Sequence, residues 1–273
     1  MDTVVILGAG ELGATLARRL AGAEQARRIV LVDADEGKAR GKALDILESG
    51  PVDRFDARLE GAGDATRFGE PDVLVAADAP DLEGRGGPDR LAQVVKALKP
   101  GLLVVASARP AAAVEAALEA GMSADRAAGS VPIAVASALQ RRLAAILDVE
   151  PSAIALALLG LPPDVVVVPH ASAVVGGVPI EGLRPNAVRQ AVQEVAGRTP
   201  GPVALAAAAA RLIAALAAPR VSVLPVIARA DASSGMARAT VALLRRVGGG
   251  RIRESIEVAL EPYERVRLEN AKH

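Results

Sequence analysis

The sequence predicts an α/β protein in which a doubly wound parallel sheet is followed by a second domain of mixed α+β type. Three observations support this fold class. Short apolar runs alternate with helical patterns in the first half, a glycine-rich turn joins the first run to the first helix, and the composition changes after about Pro132. We therefore predict two domains, residues 1–133 and residues 134–273.

The chain opens with a β-α-β pattern. Thr3–Leu7 is a short β-branched strand, a helical pattern covers Ala14–Leu20, and Ile29–Val32 forms a second strand that ends at Asp33. Strands buried on both faces and separated by helices imply parallel pairing with right-handed crossovers. The alternation continues with strands at Val73–Ala76 and Leu102–Ala106 and helices at Lys38–Leu47, Asp89–Leu98 and Ala111–Glu119.

The second half mixes helices and β-rich segments. Its predicted helices are Ser137–Leu147, Asn186–Ala196 and Val203–Ala217. Its predicted strands are Ile154–Leu159, Val165–Val168, Val221–Ile227, Ala239–Leu244 and Ile256–Leu260. Turn signals between the last three strands, and a polar final helix, complete the pattern expected of an α+β domain.

Composition excludes several functional classes. Of the 273 residues, Lys+Arg 32 balance Asp+Glu 32, so the chain lacks the basic excess that draws proteins to nucleic acid. With no cysteine and two histidines, one of them terminal, we expect no metal site. No secretion signal is visible, because the chain runs from its first residues directly into the strand VVIL without a charged region before an apolar one. No membrane span is visible either, because Arg211 interrupts the alanine-rich apolar run. We expect a cytoplasmic protein with no membrane partner.

The glycine turn indicates a nucleotide site. Gly8, Gly10 and Gly13 form a GxGxxG motif between strand and helix. In this context the glycines allow a tight turn, close approach of backbone to a pyrophosphate, and close helix packing, while N–H groups of the first helical turn, such as that of Leu12, face the anion. Asp33 would accept hydrogen bonds from a ribose, which favours NAD over NADP. The alternative is that the glycines only shape the fold.

Two carboxylates argue against tight binding at this site. Glu11 lies within the glycine turn, and Asp78 follows Ala77 at the carboxyl end of the strand Val73–Ala76, where a ligand crevice is expected. A carboxylate close to a pyrophosphate costs free energy unless it points to solvent. Both side chains therefore either weaken the site or lie solvated at its rim.

The first fifty residues resemble a known family. The stretch VVILGAGELGATLARRLAGAEQARRIVLVDADEGKARGKALDILESGPV is similar to the NAD-dependent malate and lactate dehydrogenases, in which the glycine turn, the aspartate-ended strand and an EGKxxGKALD-like helix occur in this order. A weaker resemblance continues through DVLVAADAP, LLGLPPD, VVGGVPI and RVSVLPV. The resemblance implies a Rossmann domain, the family's second domain and NAD as cofactor.

The same resemblance implies that the family's catalytic residues are replaced. Pro162 stands where the family has a histidine that exchanges a proton with the substrate, and proline has no side-chain proton to exchange. Ala136 and Leu139 stand at the positions of the family's aspartate and substrate-binding arginine. Where the family has a mobile loop with substrate-binding arginines, this chain has Arg85 as the one residue that could bind a carboxylate. Arg109 stands where the family has an asparagine before a proline.

A few residues could restore some chemistry. His170 is the single internal histidine and Asp164 is a nearby carboxylate, so these two are the weak catalytic candidates. Arg85 and Arg109 could form an anion pocket at the carboxyl ends of the strands. The competing interpretation is that His170 is packed or on the surface and that both arginines are solvated.

Three hypotheses follow. The first is a catalytically degenerate family member that holds NAD(H) weakly or not at all and acts in assembly or sensing. The second is an active NAD-dependent malate or other 2-hydroxy-acid dehydrogenase with rearranged catalytic residues. The third is a structural protein with an empty cleft. The apolar helical faces near Ala14–Leu20 and Val203–Ala217 indicate a homo-oligomer, dimer or tetramer, and mixed assembly with an active paralogue is a further hypothesis.

Overall fold

The fold is seen in a computed structural model, which describes residues 1–78, 86–231, 236 and 238–271. The helices are α1 (Glu11–Gly22), α2 (Glu36–Asp53), α3 (Gly87–Leu98), α4 (Ala111–Glu119), α5 (Val131–Leu147), α6 (Ile180–Leu183), α7 (Ala187–Val195), α8 (Pro202–Ala217) and α9 (Pro262–Asn270). The strands of the first half are β1 (Thr3–Leu7), β2 (Arg28–Val32), β3 (Arg58–Ala62), β4 (Val73–Ala76), β5 (Leu102–Val105) and β6 (Ala127–Gly129). Those of the second half are β7 (Ile154–Ala155), β8 (Leu159–Leu161), β9 (Val165–Val167), β10 (Val174–Val175), β11 (Val178–Pro179), β12 (Ser222–Arg229), β13 (Thr240–Gly248) and β14 (Arg251–Ser255).

One long mixed sheet forms the centre of the molecule. Its strands lie in the order β3-β2-β1-β4-β5-β6-β12-β13-β8-β9, and β14 pairs with β13. Strands β1 to β6 are parallel, whereas β12 joins β6 in antiparallel fashion through Ile227 and Gly129. The strands of the second half therefore extend the sheet of the first half. A smaller sheet contains β11, β10 and β7 in that order.

Strands β1, β2, β4 and β5 are buried on both faces, as their apolar runs predict. Alternate residues of each strand point to opposite sides of the sheet. Ile6 and Val75 belong to the larger core cluster, together with residues of α1, α5 and α8, while Leu7 and Leu74 belong to the cluster under α3 and α4. This three-layer arrangement confirms the predicted α/β fold with a doubly wound first half.

Some predicted elements differ from the structure. The predicted strand Ile154–Leu159 is wrong, because it is divided into β7 and the start of β8, which belong to different sheets. The three residues between them belong to no strand. The predicted strand Ile256–Leu260 is also wrong, since the strand precedes it as β14. Strand β3 was not predicted because it lies at the sheet edge and is only partly buried, so it lacks a continuous apolar run.

The helical faces predicted for subunit contacts are used inside the chain. Helix α1 packs against α8, and their apolar residues, including Leu16, Leu20, Leu205 and Leu212, are buried. The interpretation of these faces as oligomer surfaces is therefore corrected. Residue 133 lies inside α5, so the two halves meet within a helix. In the described ranges no helix is long and apolar enough to cross a membrane.

Candidate functional site

The glycine turn has the tight geometry that the GxGxxG pattern predicts. Gly8 has a φ of 105°, a conformation that side chains rarely adopt, and its N–H donates to the Val32 carbonyl oxygen at 2.7 Å. A Cβ at Gly13 would overlap the Gly8 carbonyl oxygen. Helix α1 begins at Glu11 with Gly10 as its N-cap, and no side chain of the N-cap residue satisfies the first amides. The N–H groups of the first helical turn, at the carboxyl edge of the sheet, therefore need an acceptor from elsewhere.

Those amides are bonded to Asp78. The Leu12 N–H donates to Asp78 Oδ2 at 3.0 Å, and the Gly13 N–H donates to Asp78 Oδ1 at 3.2 Å. A Cβ at Gly10 would overlap the same carboxylate, so the glycine is required for its approach. An anion at the end of a helix with unsatisfied N–H groups is stabilised by both the hydrogen bonds and the helix dipole. Asp78 therefore acts as the anion of this helix terminus.

The other residues of the turn are placed differently. Glu11 is exposed, as the solvated alternative for this side chain expects. Ala77 is half-buried, and its N–H donates to the Leu7 carbonyl oxygen at 3.0 Å, which fixes the chain directly before Asp78. Of the two carboxylates that the sequence singles out, only Asp78 contacts the helix amides.

Asp33 is buried beneath the turn, with a relative exposure of 5%. Its Oδ2 accepts from the Ala9 N–H at 2.9 Å and from Lys38 Nζ at 3.0 Å, and its Oδ1 accepts from the Asp35 N–H at 3.1 Å. Burial alone would raise the pKa of Asp33, but the hydrogen bonds from Ala9, Lys38 and Asp35 outweigh it and lower the pKa below its usual value. The predicted ribose partner thus already binds three donors, and it holds the glycine turn against α2.

The turn between β8 and β9 contains Pro162 and lies near the carboxyl end of the parallel sheet. It is held there by Asp164, whose carboxylate accepts from Arg109 Nε at 2.9 Å and from Arg109 Nη2 at 2.8 Å. Arg109 follows β5, so this bidentate pair ties the turn to the edge where the glycine turn also lies. The carboxylate and its hydrogen bonds raise the pKa of Arg109. Pro162 is buried.

The predicted anion pocket is only partly described. Arg109 is paired with Asp164, so its guanidinium is not an open clamp in this conformation. Arg85 lies outside the described residues. Ala136 and Leu139 point into the core from α5 and are buried, so apolar packing replaces charge at both positions.

The structure does not bring the two catalytic candidates His170 and Asp164 together. His170 Nδ1 lies 2.8 Å from Glu181 Oε2, its backbone N–H donates to Glu264 Oε1 at 2.9 Å, and its ring packs edge-on against Tyr263. The histidine lines a cavity between β9, α7 and α9, and no residue of the glycine turn lines that cavity. The seven residues between Pro162 and His170 include β9, which carries the imidazole away from the turn.

Several partners in these clusters were missed by sequence reasoning. Lys38 lies in the first turn of α2, five residues after Asp33, and this closeness in sequence could have indicated the ion pair. Glu181, Tyr263 and Glu264 lie 11, 93 and 94 residues beyond His170, and only the tertiary fold brings them together. No local pattern in the sequence connects these residues.

Comparison with known proteins agrees with this architecture. A model of the lactate/malate dehydrogenase NAD binding domain matches residues 2–106. Malate dehydrogenase of Salinibacter ruber is 28% identical over an alignment of 294 residues that covers 98% of this chain and 93% of that protein. Malate dehydrogenase of Chlorobium luteolum is 44% identical over 72 residues, 26% of this chain and 23% of that protein.

Solved structures extend the similarity to the whole fold. The structure of the Salinibacter ruber malate dehydrogenase superposes with a TM-score of 0.89 at 25% identity, covering 98% of this chain and 93% of that one. The minor L-lactate dehydrogenase of Enterococcus mundtii superposes with a TM-score of 0.86 at 20% identity, covering 99% and 95%. Residues 2–106 thus match the NAD binding domain of the lactate/malate dehydrogenase family, and nearly the whole chain is similar in sequence and fold to the Salinibacter ruber malate dehydrogenase.

Proposed function

We propose that the chain is a catalytically degenerate member of this family whose nucleotide site is closed by its own Asp78. The observation that carries the proposal is the pair of hydrogen bonds from the Leu12 and Gly13 N–H groups to the Asp78 carboxylate. In a Rossmann turn these helix N–H groups receive the pyrophosphate of the dinucleotide. The residues as placed do not fit NAD(H), because a carboxylate holds the phosphate donors and would repel a phosphate brought beside it.

The internal anion has an advantage over a free one. Asp78 lies two residues beyond β4, so its carboxylate reaches the amides without loss of translational freedom. A charge at a helix N-terminus contributes about 0.3–1 kcal/mol, and up to about 2 kcal/mol when partly buried. A dinucleotide must displace this contact and bear the repulsion of the released carboxylate. We therefore expect NADH to bind in the millimolar range or not at all.

The second part of the proposal is the loss of dehydrogenase chemistry. Hydride transfer between a hydroxy acid and nicotinamide needs a group that exchanges the hydroxyl proton. Pro162 lies in the turn over the sheet edge, the family's charged positions on α5 are Ala136 and Leu139, and His170 is bonded elsewhere. The chain would then act through assembly or ligand sensing.

Calorimetric titration with NADH tests the closed site. We compare the natural chain with Asp78→Gly, which frees the two amides, and with Glu11→Gln, which removes an exposed carboxylate from the same turn. Asp78→Gly should bind NADH at least about tenfold more tightly, equivalent to about 1.4 kcal/mol. Glu11→Gln should change the affinity by much less, because Glu11 does not contact the amides.

Two results would contradict the proposal. Micromolar NADH binding by the natural chain would show that Asp78 does not close the site. An Asp78→Gly variant that remains folded by circular dichroism and binds NADH no better would show that the cleft is closed by something else. If Asp78→Gly binds NADH but does not reduce NAD with malate or lactate, the loss of proton transfer is supported separately.

The alternative is an active NAD-dependent malate or other 2-hydroxy-acid dehydrogenase. It is favoured by the similarity over nearly the full length to a protein named malate dehydrogenase and by the retained turn with Asp33. NADH formation at high protein concentration, with a panel of 2-hydroxy acids, tests it. Turnover that is abolished by His170→Ala would replace our first proposal with this one.

Assembly is also part of the proposal. We infer a homo-oligomer, and mixed assembly with an active paralogue is the mode in which a degenerate subunit would regulate others. A cytoplasmic location and the lack of a nucleic-acid partner remain predictions from composition.

A further inference from the structure

A second cavity lies far along the chain from the glycine turn, between β9, α7 and α9. Its volume is about 440 Å³, which is within the range of small-molecule sites. Its apolar wall is formed by the buried residues Val166, Val168 and Val188 with Val192. A wall of this kind fits an aliphatic group and offers no partner to a strongly hydrated ion.

Polar groups also line the cavity. Arg189 and Arg267 are exposed at its lining, and within the described ranges neither guanidinium has a carboxylate at salt-bridge distance. Glu264 is buried, with a relative exposure of 2%, but its carboxylate is already satisfied by the N–H groups of His170 and Glu261. The lining therefore carries two unpaired positive charges against one satisfied negative charge.

His170 is oriented toward this cavity by a carboxylate. Its Nδ1 is held by Glu181 at 2.8 Å, while its Nε2 lies 3.9 Å from Glu264 Oε1, beyond hydrogen-bond distance. Orientation of one ring nitrogen by an acceptor fixes the imidazole and leaves the other nitrogen for a ligand. Tyr263 packs edge-on against this ring at 5.9 Å between centroids and lines the same cavity.

We propose that this cavity binds a small aliphatic carboxylate. The hydrocarbon part lies on the valine wall, and the carboxylate is received by Arg189 and Arg267 with His170 Nε2 beside them. Guanidinium groups match the planar geometry of a carboxylate, and the interaction is charge-assisted. Inorganic phosphate could pair with the arginines, but it has no apolar part to cover the valines.

The chain carries its own reporter for this site. Tyr263 is the single tyrosine and there is no tryptophan, so the intrinsic fluorescence of the protein comes from the cavity lining apart from weak phenylalanine emission. We titrate the natural chain with acetate, butyrate, hexanoate and octanoate, and with hexanol and inorganic phosphate as comparisons. The fluorescence change should saturate, the affinity should rise with chain length, and hexanoate should bind at least about tenfold more tightly than hexanol.

Variants then test the two arginines. Arg189→Gln and Arg267→Gln should each weaken octanoate binding about tenfold. Arg265→Gln is the matched control, because Arg265 lies on the same helix but lines a different cavity, and it should bind octanoate unchanged. The imidazole resonances of His170, one of two histidines in the chain, should shift on octanoate binding and not on addition of phosphate.

Several outcomes would overturn this inference. With the natural chain, the inference is overturned if no carboxylate gives a saturable fluorescence change or if hexanol binds as tightly as hexanoate. It is also overturned if inorganic phosphate binds this cavity as tightly as the aliphatic carboxylates. With folded variants, equal binding by Arg189→Gln, Arg267→Gln and the Arg265→Gln control would also overturn it. None of these readouts involves NADH, so failure here is distinguishable from failure of the closed-nucleotide-site proposal.

Discussion

At the scale of single residues, one carboxylate changes what the glycine turn can do. The turn itself is built as the sequence predicts, with Gly8 in the left-handed region and Gly10 open to close approach. The close approach is made by Asp78 of the same chain. The sequence alone indicates that the Asp78 carboxylate disfavours phosphate binding, but it does not decide whether this side chain faces solvent. The answer depends on the conformation of the loop after β4.

Asp33 provides a residue-scale prediction about stability. Asp33→Asn should lower the free energy of unfolding by about 1–3 kcal/mol at pH 7, because the buried Ala9 N–H and the exposed Lys38 ammonium lose their charged acceptor. The folded state lowers the pKa of Asp33, so its stabilising effect is present above the unfolded value near 3.9 and is lost as pH falls through the folded pKa. Urea unfolding at pH 7 and pH 3 measures both effects.

The control for this prediction is Asp45→Asn, which changes an exposed carboxylate on the same helix α2. It should alter stability by less than about 0.5 kcal/mol at either pH. A difference between the natural chain and Asp33→Asn that stays constant from pH 7 to pH 3 would show that the ionised form is not what stabilises the turn.

At the scale of elements, runs of apolar residues predicted the central strands correctly, whereas short or partly polar strands gave no signal in the sequence. The strands β1, β2, β4 and β5 were predicted because each contains at least four consecutive apolar residues, all of which are buried. Strand β6 was missed because its sequence, Ala-Ala-Gly, is too short and too small to give a strand signal. Pairing with β5 and β12 makes it a strand.

A buried arginine links the last three strands. Arg245 on β13 donates to the Arg229 carbonyl oxygen at 2.7 Å and contacts the Asp231 carboxylate and the Arg253 carbonyl oxygen. Burial lowers its pKa, and the charge of Asp231 partly offsets this effect. Arg245→Leu should destabilise the protein by about 2–4 kcal/mol, because these acceptors lose a buried charged donor. Thermal or urea unfolding measures the change.

The neighbouring Arg246 is the matched control. Its side chain points to the other face of β13, is half exposed, and pairs with exposed Glu254. Arg246→Leu should cost no more than about 1 kcal/mol. Equal effects of the two substitutions would mean that the buried network of Arg245 does not hold the strands together.

At the scale of the whole molecule, the exposed apolar surface decides where another copy could bind. The faces of α1 and α8 that looked suitable are buried against each other. Helix α2 instead exposes Leu44, Leu47 and Val52, the last with 82% of its surface accessible. Among the described residues, no atom outside the neighbouring backbone of α2 comes within 4 Å of a Cβ built at Gly41, so a second backbone could approach closely there. This face is the better candidate for self-association.

Light scattering after size exclusion tests this candidate. The natural chain should elute as a homo-oligomer, and the double variant Leu44→Glu with Leu47→Glu should shift toward the monomer, because charge in an apolar contact is costly. Val203→Glu, which alters an exposed valine of α8, should leave the oligomer intact. A natural chain that is monomeric at all concentrations would argue against both homo-oligomer and mixed assembly.

The sequence by itself determined the α/β class, the glycine turn, the resemblance to the malate and lactate dehydrogenases and the presence of a proline at position 162. These depend on residue type and on short spacings, which a sequence displays directly. Only the tertiary structure decided that Asp78 caps α1, that Arg109 is paired with Asp164, and that His170 faces a separate cavity with Tyr263. Each of these contacts joins residues more than fifty positions apart, and their geometry is set by how the strands and helices pack.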